Sequence, residues 1–383
     1  MRRALFVAVA LSLTLSGCGT AAGGRGKGSP AAEGFHRPPP GPEPAAAPVS
    51  AGAPDVPGNV YEAVTAGWMS PAVADVPARV YVPNTSANTV DVIDPATLSI
   101  VDHYPVGRTP HHIAPSWDMT RLFVDNTDGD SLTVIDPRSG KPTGTIPVVD
   151  PYNLYFTLDG KKAIVVAERF RRLDFLDTTS WQLIKSVPVP WPGADHLDLS
   201  PDGRYLLVTT EFSGKVVKVD TDQMEVTGTI DVGGQPIDVK VAPDGSVFYV
   251  TNQARNGVSI VDPQAMREIA FIPTGKGAHG LATSRDGRSL YVSNRLAGSI
   301  TLIDFATRQV MGTTHIGGSP DMMQISPDGH QLWVSNRYHG AVSVLDAQSG
   351  QLIKVIKVGK NPHGLTYFPQ PGRFSIGHNG VYR

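Results

Sequence analysis

From residue 78 onward the chain repeats itself every 42 residues, and this constrains its fold more than any other feature. The tetrads "YVPN", "FVDN", "VVAE", "LVTT", "YVTN", "YVSN" and "WVSN" end at Asn84, Asn126, Glu168, Thr210, Asn252, Asn294 and Asn336. A second marker, an aspartate closing a "VxVID"-type segment, falls at Asp94, Asp136, Asp177, Asp220, Asp262, Asp304 and Asp346, with only Asp177 one residue out of step. Two markers agree on seven units, and a fixed period of this length means a chain built from one repeated supersecondary unit.

Each unit holds four short segments of alternating or β-branched character, separated by turn signals such as "SPDG" (Ser200 to Gly203, Ser326 to Gly329). In the fifth cycle they read "PIDVKVA", "SVFYVTN", "GVSIVD" and "EIAFIPTG". Four strands make one propeller blade. No stretch keeps a 3.6-residue apolar period, so helices should be nearly absent, and a parallel β-helix would need much shorter coils. The expected fold is an all-β, seven-bladed propeller of four-stranded blades over residues 78–369. The inner strand "HGLTYFP" (His363 to Pro369) should join the three N-terminal outer strands, pairing the edges that an open array would expose. One alternative stays open. "RFSIGHNG" (Arg373 to Gly380), in the tail 370–383, looks like the start of another second strand, and the lead-in 58–77 could pair with it as an imperfect eighth blade.

The N-terminus reads as a sorting signal: Arg2 and Arg3, then an apolar run from Ala4 to Leu15, too short to span a bilayer. Leu15-Ser16-Gly17-Cys18 resembles the lipobox of bacterial lipoproteins. That resemblance implies removal of residues 1–17, lipidation of Cys18, and anchoring to the cell membrane facing outward. Residues 18–57 are nearly all Gly, Ala, Pro and Ser with one aromatic residue, the composition of a disordered tether. With a single cysteine in the chain, disulfides, CxxCH haem attachment and a cysteine nucleophile are excluded. The formal net charge is -2, with 18% charged residues of both signs interspersed, so there is no electrostatic footprint for nucleic acid.

"YVTN" at 249 to 252, "YVSN" at 291 to 294, the "SPDG" turns and "PHG" at 362 to 364 resemble the YVTN-type β-propeller family. The resemblance covers residues 78–369 and implies a seven-bladed secreted or lipid-anchored bacterial protein. The architecture is also similar to the propeller domains of haem d1 nitrite reductase and nitrous oxide reductase, which carry a cofactor at the ring axis. Fold similarity of that kind transfers no ligands.

Repeat register locates the histidines. The inner strands start at Pro110, Tyr152, Ala194, Pro236, Ala278, Pro320 and Pro362, so the next two positions in each blade are equivalent around the axis. Read round the ring they are His111 and His112, Asn153 and Leu154, Asp195 and His196, Ile237 and Asp238, His279 and Gly280, Asp321 and Met322, His363 and Gly364. Five of the 11 histidines and three aspartates fall here, which makes this belt the candidate site. Imidazole and carboxylate are ligands for zinc, iron and copper. His363, His111 and His112, on adjoining blades and flanked by Asp321, form the leading sector; Asp195, His196, Asp238 and His279 lie further round. Two simpler readings compete: imidazoles in a hydrated channel also serve as hydrogen-bonding groups for backbone or water, and neighbouring residues on a regular strand point to opposite faces, so His111 and His112 reach one ion only if the strand is irregular.

Other features are weaker. Met322 and Met323 hint at copper but also suit filling between blades. Glu168-Arg169-Phe170-Arg171-Arg172 reads as a solvated loop, Glu211, Arg295 and Arg337 as salt-bridging residues, and Trp117 and Trp191 as packing near strand ends. There is no GxSxG, HExxH or phosphate-binding glycine loop. The expected function is therefore a monomeric, membrane-anchored binding module for a metal, a small ligand or a protein partner on a propeller face. The competing class is a propeller enzyme, an oxidoreductase with a metal or haem-type cofactor or a lactonase-like hydrolase using the same belt.

Overall fold

A computed structural model describes residues 34–35 and 58–383. The signal segment, Cys18 and all of the tether except Gly34 and Phe35 lie outside the described residues. Seven four-stranded antiparallel sheets form the ring. We number the blades 1 to 7 in chain order. Blade 1 contains the strands Arg79–Asn84, Thr89–Asp94 and Ser99–Pro105 and is completed by the C-terminal strand Thr366–Phe368, which pairs antiparallel with Arg79–Asn84. Closure is as the repeat register requires.

The two sequence markers are explained by turn and inter-strand bonding. Each marker aspartate ends the third strand of its blade, and six of the seven accept from the backbone two residues on, as Asp94 does from Ala96 N at 2.9 Å and Asp262 from Gln264 N at 2.8 Å, while Asp304 accepts from Thr307 N at 2.7 Å. These are Asx turns, the local device that lets a polar side chain set a reversal. The marker asparagines are buried and tie strands together: Asn294 Nδ2 donates to Thr301 Oγ1 at 2.9 Å while its Oδ1 accepts from Gly275 N at 2.9 Å. Both markers are structural.

Burial falls from axis to rim. The inner strands Pro110–Pro115, Ala194–Leu199, Pro236–Val241 and Pro320–Ile325 are buried at every position, because sheet packs on both of their faces. The outermost strands, such as Lys141–Pro147, are largely exposed. Short 3-10 turns at Glu62–Val64 and Pro71–Val73 are the helical structure of the lead-in, which packs under the ring with Tyr61 Oη donating to Val241 O at 2.8 Å. No helix among the described residues is long and apolar enough to cross a membrane.

The eighth-blade alternative is not what the tail does. Residues 370–383 turn inward and fill the axial channel: Phe156 N donates to Ile376 O at 3.0 Å, His378 N to Leu154 O at 2.7 Å, and Gln324 Nε2 to Gly380 O at 2.8 Å. Arg383 donates to Asp198 Oδ1 at 2.6 Å, so three different blades hold the plug. Its side chains satisfy inner-strand groups that an extra strand at the rim would leave unpaired. Phe35, the one aromatic residue of the tether composition, is buried between blades 6 and 7, its N–H donating to Ser349 O at 3.2 Å and its ring 5.9 Å from Tyr291.

Candidate metal centre at the channel mouth

The geometry of the belt follows from an irregularity that recurs around the ring. In blade 2 Pro110 pairs with Asn126, but the next ladder pair is Ile113 with Val124, so the inner strand carries one extra residue at His111-His112. The same shift follows Ala194, Pro236, Ala278 and Pro320. A β-bulge of this kind re-aims side chains that a regular strand would alternate. The irregularity that lets both histidines of the pair face one ion is supplied by this bulge. The rings of His111 and His112 stack 5.3 Å apart at an interplanar angle of 10°.

Around them the cluster is continuous. His363 packs 4.2 Å from His111 and 4.6 Å from His112 by ring centroid. His112 in turn lies 5.2 Å from His196 and 4.9 Å from His378, and those two are 4.8 Å apart. Three groups bring one ligand atom each within 4.8 Å of the others: His111, His112 and His363; His112, His196 and His378; and His279, Asp321 and His363. All of these residues are buried.

Neutrality and free lone pairs are what a transition metal needs from imidazoles. Burial, followed by the Arg337 guanidinium, holds His111 and His363 well below the usual histidine pKa; burial, followed by the charge of His196, does the same for His112 and His378. Neither ring nitrogen of His111 has a hydrogen-bond partner, nor do Nε2 of His112, Nε2 of His196 and Nδ1 of His363. His196 departs from the others. Burial opposes its protonation, yet Asp195, whose Oδ1 lies 2.8 Å from Nδ1, raises its pKa above the ordinary value.

The third group is closed to a cation. Arg295 donates through Nε to Asp321 Oδ1 at 2.7 Å, and its Nη2 contacts both Asp321 and His279 Nε2. Arg337 Nη1 stands 3.9 Å from the other Asp321 oxygen. Two guanidinium charges already neutralise this carboxylate, so a metal there would meet net repulsion. His279 is therefore a structural partner of Asp321 and Arg295, the salt-bridging role read for Arg295 from sequence. Asp238 also stays out of the cluster: its two oxygens accept from Val239 N and Leu281 N, each at 2.8 Å, stitching blade 5 to blade 6. Asp195 stands behind His196 as its carboxylate partner.

Remaining sequence candidates have plain roles. Met323 packs between blades 6 and 7, and Met322 lines a partly open cavity of about 60 Å³ together with Lys240, Gln324 and His378. Trp117 donates to Leu158 O at 3.0 Å and stacks on Phe374, while Trp191 packs against the core of blades 3 and 4. Arg169 pairs with Asp130 at 3.0 Å in a surface loop.

A sequence profile of YNCE-like β-propellers matches residues 46–371. The chain belongs to the YNCE-like β-propeller family. No curated protein sequence matches this YNCE-like chain. Among solved structures it is similar to the periplasmic gluconolactonase PpgL of Pseudomonas aeruginosa, with 20% identity over 77% of this chain and 99% of that one and a TM-score of 0.65. The dihydro-heme d1 dehydrogenase NirN in complex with DHE shares 19% identity over 79% of this chain and 76% of the other, with a TM-score of 0.58. Hydrazine synthase of Kuenenia stuttgartiensis shares 21% identity over 66% and 87% of the two chains, with a TM-score of 0.57. At these identities the likeness is one of fold, and the chemistry of this YNCE-like propeller has to be argued from its own residues.

Two of those residues were not assigned to the site from sequence. His378 and Asn379 come from the tail, where register was read as a strand, and only the inward turn of the tail brings them to the axis. Their signal was "GHNG", a polar pair between two glycines. His378 takes a φ of 51°, and Gly377 beside it has φ 91°. A Cβ at Gly377 would collide with the backbone of Leu154 and Tyr155, so glycine lets the tail approach the inner strand closely enough to deliver its histidine.

Proposed function

We propose that this YNCE-like propeller is a lipid-anchored, outward-facing module that binds a first-row transition metal ion in its axial histidine cluster. The observation that carries the reading is the set His111, His112 and His363: three buried, neutral imidazoles within ligating distance of one another, with nitrogen lone pairs that nothing in the protein uses. Leaving that many buried polar atoms unpaired costs about 1–3 kcal/mol each. A bound ion removes the penalty. All-imidazole donors suit zinc, copper or iron.

The test is metal content of full-length protein purified without a His-tag or chelator. A stoichiometric ion that is lost in His112→Ala supports the reading; a chain that neither carries nor takes up zinc, copper or iron overturns it. For the anchor, which rests on the lipobox resemblance at Cys18, Cys18→Ser should release the protein from the membrane fraction, and firm attachment of that variant would refute it.

A second reading, a metal-assisted hydrolase, is favoured by Glu211 at the mouth. Burial, reinforced by the Asp195 carboxylate, pushes its pKa up to about 7, the value a general acid or base needs near neutrality. Hydrolysis of simple lactones by metal-loaded protein, abolished in Glu211→Gln, would support it; no turnover above the metal-free rate would sink it.

A further inference from the structure

The two open histidine groups share His112, and that sharing limits what the centre can hold. His112 Nδ1 donates to Asn379 Oδ1 at 2.8 Å, so only Nε2 is left to bind a metal. One neutral imidazole with one lone pair serves one ion at a time. The outer set, His111, His112 and His363, and the inner set, His112, His196 and His378, are therefore alternative seats for a single ion.

The seats differ in exposure and in support. His111 is 7% exposed, whereas His112 and His196 are 0% and His378 2%, and the tail fills the far end of the channel. An ion entering past His111, the most exposed of these rings, meets the outer seat first. The outer seat is loosely built: His111 has no hydrogen-bond partner on either nitrogen, and Arg337 bears on it electrostatically. In the inner seat each ring is oriented from behind. Nδ1 of His112 meets Asn379 Oδ1, Nδ1 of His378 meets Asn153 Oδ1 at 3.1 Å, and Nδ1 of His196 lies 2.8 Å from Asp195 Oδ1; Nε2 of His378, the nitrogen left for an ion, accepts from Asn379 Nδ2 at 3.3 Å, a weak contact that the ion has to displace. Partners of this kind fix tautomer and direction and strengthen the ligand.

We propose that the C-terminal tail, through His378, builds a deep metal seat, so that an ion captured by His111, His112 and His363 moves inward on the pivot His112 and is retained by His112, His196 and His378. This rests on the metal-binding reading above. The transfer is a ligand exchange: His111 and His363 leave the ion, His196 and His378 join it, and no redox partner is needed. The only proton displaced is the one that a charged His196 gives up to solvent or to Asp195. The tail is thus a working part of the centre as well as a plug.

The experiment uses Co²⁺ as probe with the full chain, following its visible absorption during titration, stopped-flow uptake and release to excess EDTA. Wild type should bind one equivalent. His378→Ala should still bind one equivalent at the outer seat but release it at least about tenfold faster, the scale of loss when support of a metal ligand is removed. His196→Gln, which leaves the tail intact, should show the same fast release and guards against a folding effect at the tail. His111→Ala should slow uptake more than it changes release. Two equivalents in wild type, or release at the wild-type rate from both inner-seat variants, would overturn the two-seat arrangement while leaving metal binding in place. Failure of wild type to take up any Co²⁺ would instead remove the metal-binding reading itself.

Discussion

His112 and Asn379 meet at 2.8 Å across 267 positions of sequence, and their contact joins the first complete blade to the last residues of the chain. It settles which nitrogen of His112 carries the proton. It also makes the axial centre depend on a segment outside the repeat.

Gly364 adjoins that contact, and a Cβ placed there would collide with both His112 Nδ1 and Asn379 Oδ1. Gly364→Ala should therefore destabilise the fold by about 1–3 kcal/mol, as overpacking of a filled site does. It should weaken metal retention as well. Urea denaturation and EDTA competition on the same sample check both, and unchanged retention would show the contact to be dispensable.

Acid should destabilise the metal-free protein. Burial depresses the folded-state pKa of His111, His112, His279, His363 and His378, so each stays neutral while the unfolded chain takes up a proton below about 6.5. The stability these groups contribute is present above that pH and is lost as pH falls toward the folded values, at about 1.4 kcal/mol per unit for each group. His196, raised by Asp195, opposes the trend, as do the buried carboxyls of Asp125 and Glu211, whose pKa values burial raises. Thermal unfolding from pH 7.5 to 5.0 should show a steep fall in Tm, and a flat profile would contradict the buried-neutral description.

Asp125 shows the opposite sign. Its register equivalents Thr209, Thr251 and Ser293 donate hydroxyls to the inner strand of the next blade, as Thr209 does to Ile237 O at 2.5 Å. Neither Asp125 oxygen has a partner, and burial raises its pKa well above the carboxylate range. The unfolded chain releases this proton above about pH 4 while the folded one keeps it, so stability is lost as pH rises. Asp125→Asn should stabilise the protein at pH 7 by about 1.4 kcal/mol for each unit between the two pKa values, with the gain vanishing near pH 4. An equal effect at both pH values would refute this account.

Arg295→Met should cost about 3–5 kcal/mol, the scale for leaving a buried charge uncompensated, because Asp321 is fully buried and Arg295 is its main partner. The double variant Arg295→Met with Asp321→Leu should recover much of the loss. Chemical denaturation of the set decides it, and an additive double variant would place the loss in packing rather than charge.

The ring and its closure were legible because seven copies of one pattern leave little freedom. The belt was legible because its position is fixed by register, and His111, His112, His196 and His363 do converge. Asp238 and His279 were in register but not in the open site, since backbone amides claim the first and Arg295 claims the second. No spacing rule reveals such competition, because the claimants come from other blades. His378 and Asn379 were missed for the reverse reason: they reach the axis without belonging to the repeat.

What the sequence determined by itself is therefore everything periodic: blade number, strand order, the pairing that closes the ring and the circle of positions facing the channel, all consequences of hydrogen-bonding geometry repeated every 42 residues. What only the tertiary structure decided is which of those positions share a lone pair, a charge or a proton. That depends on a bulge that turns His111 and His112 the same way and on a tail that folds inward. Contacts of a few ångströms between residues hundreds of positions apart arise from packing, and local pattern carries no record of them.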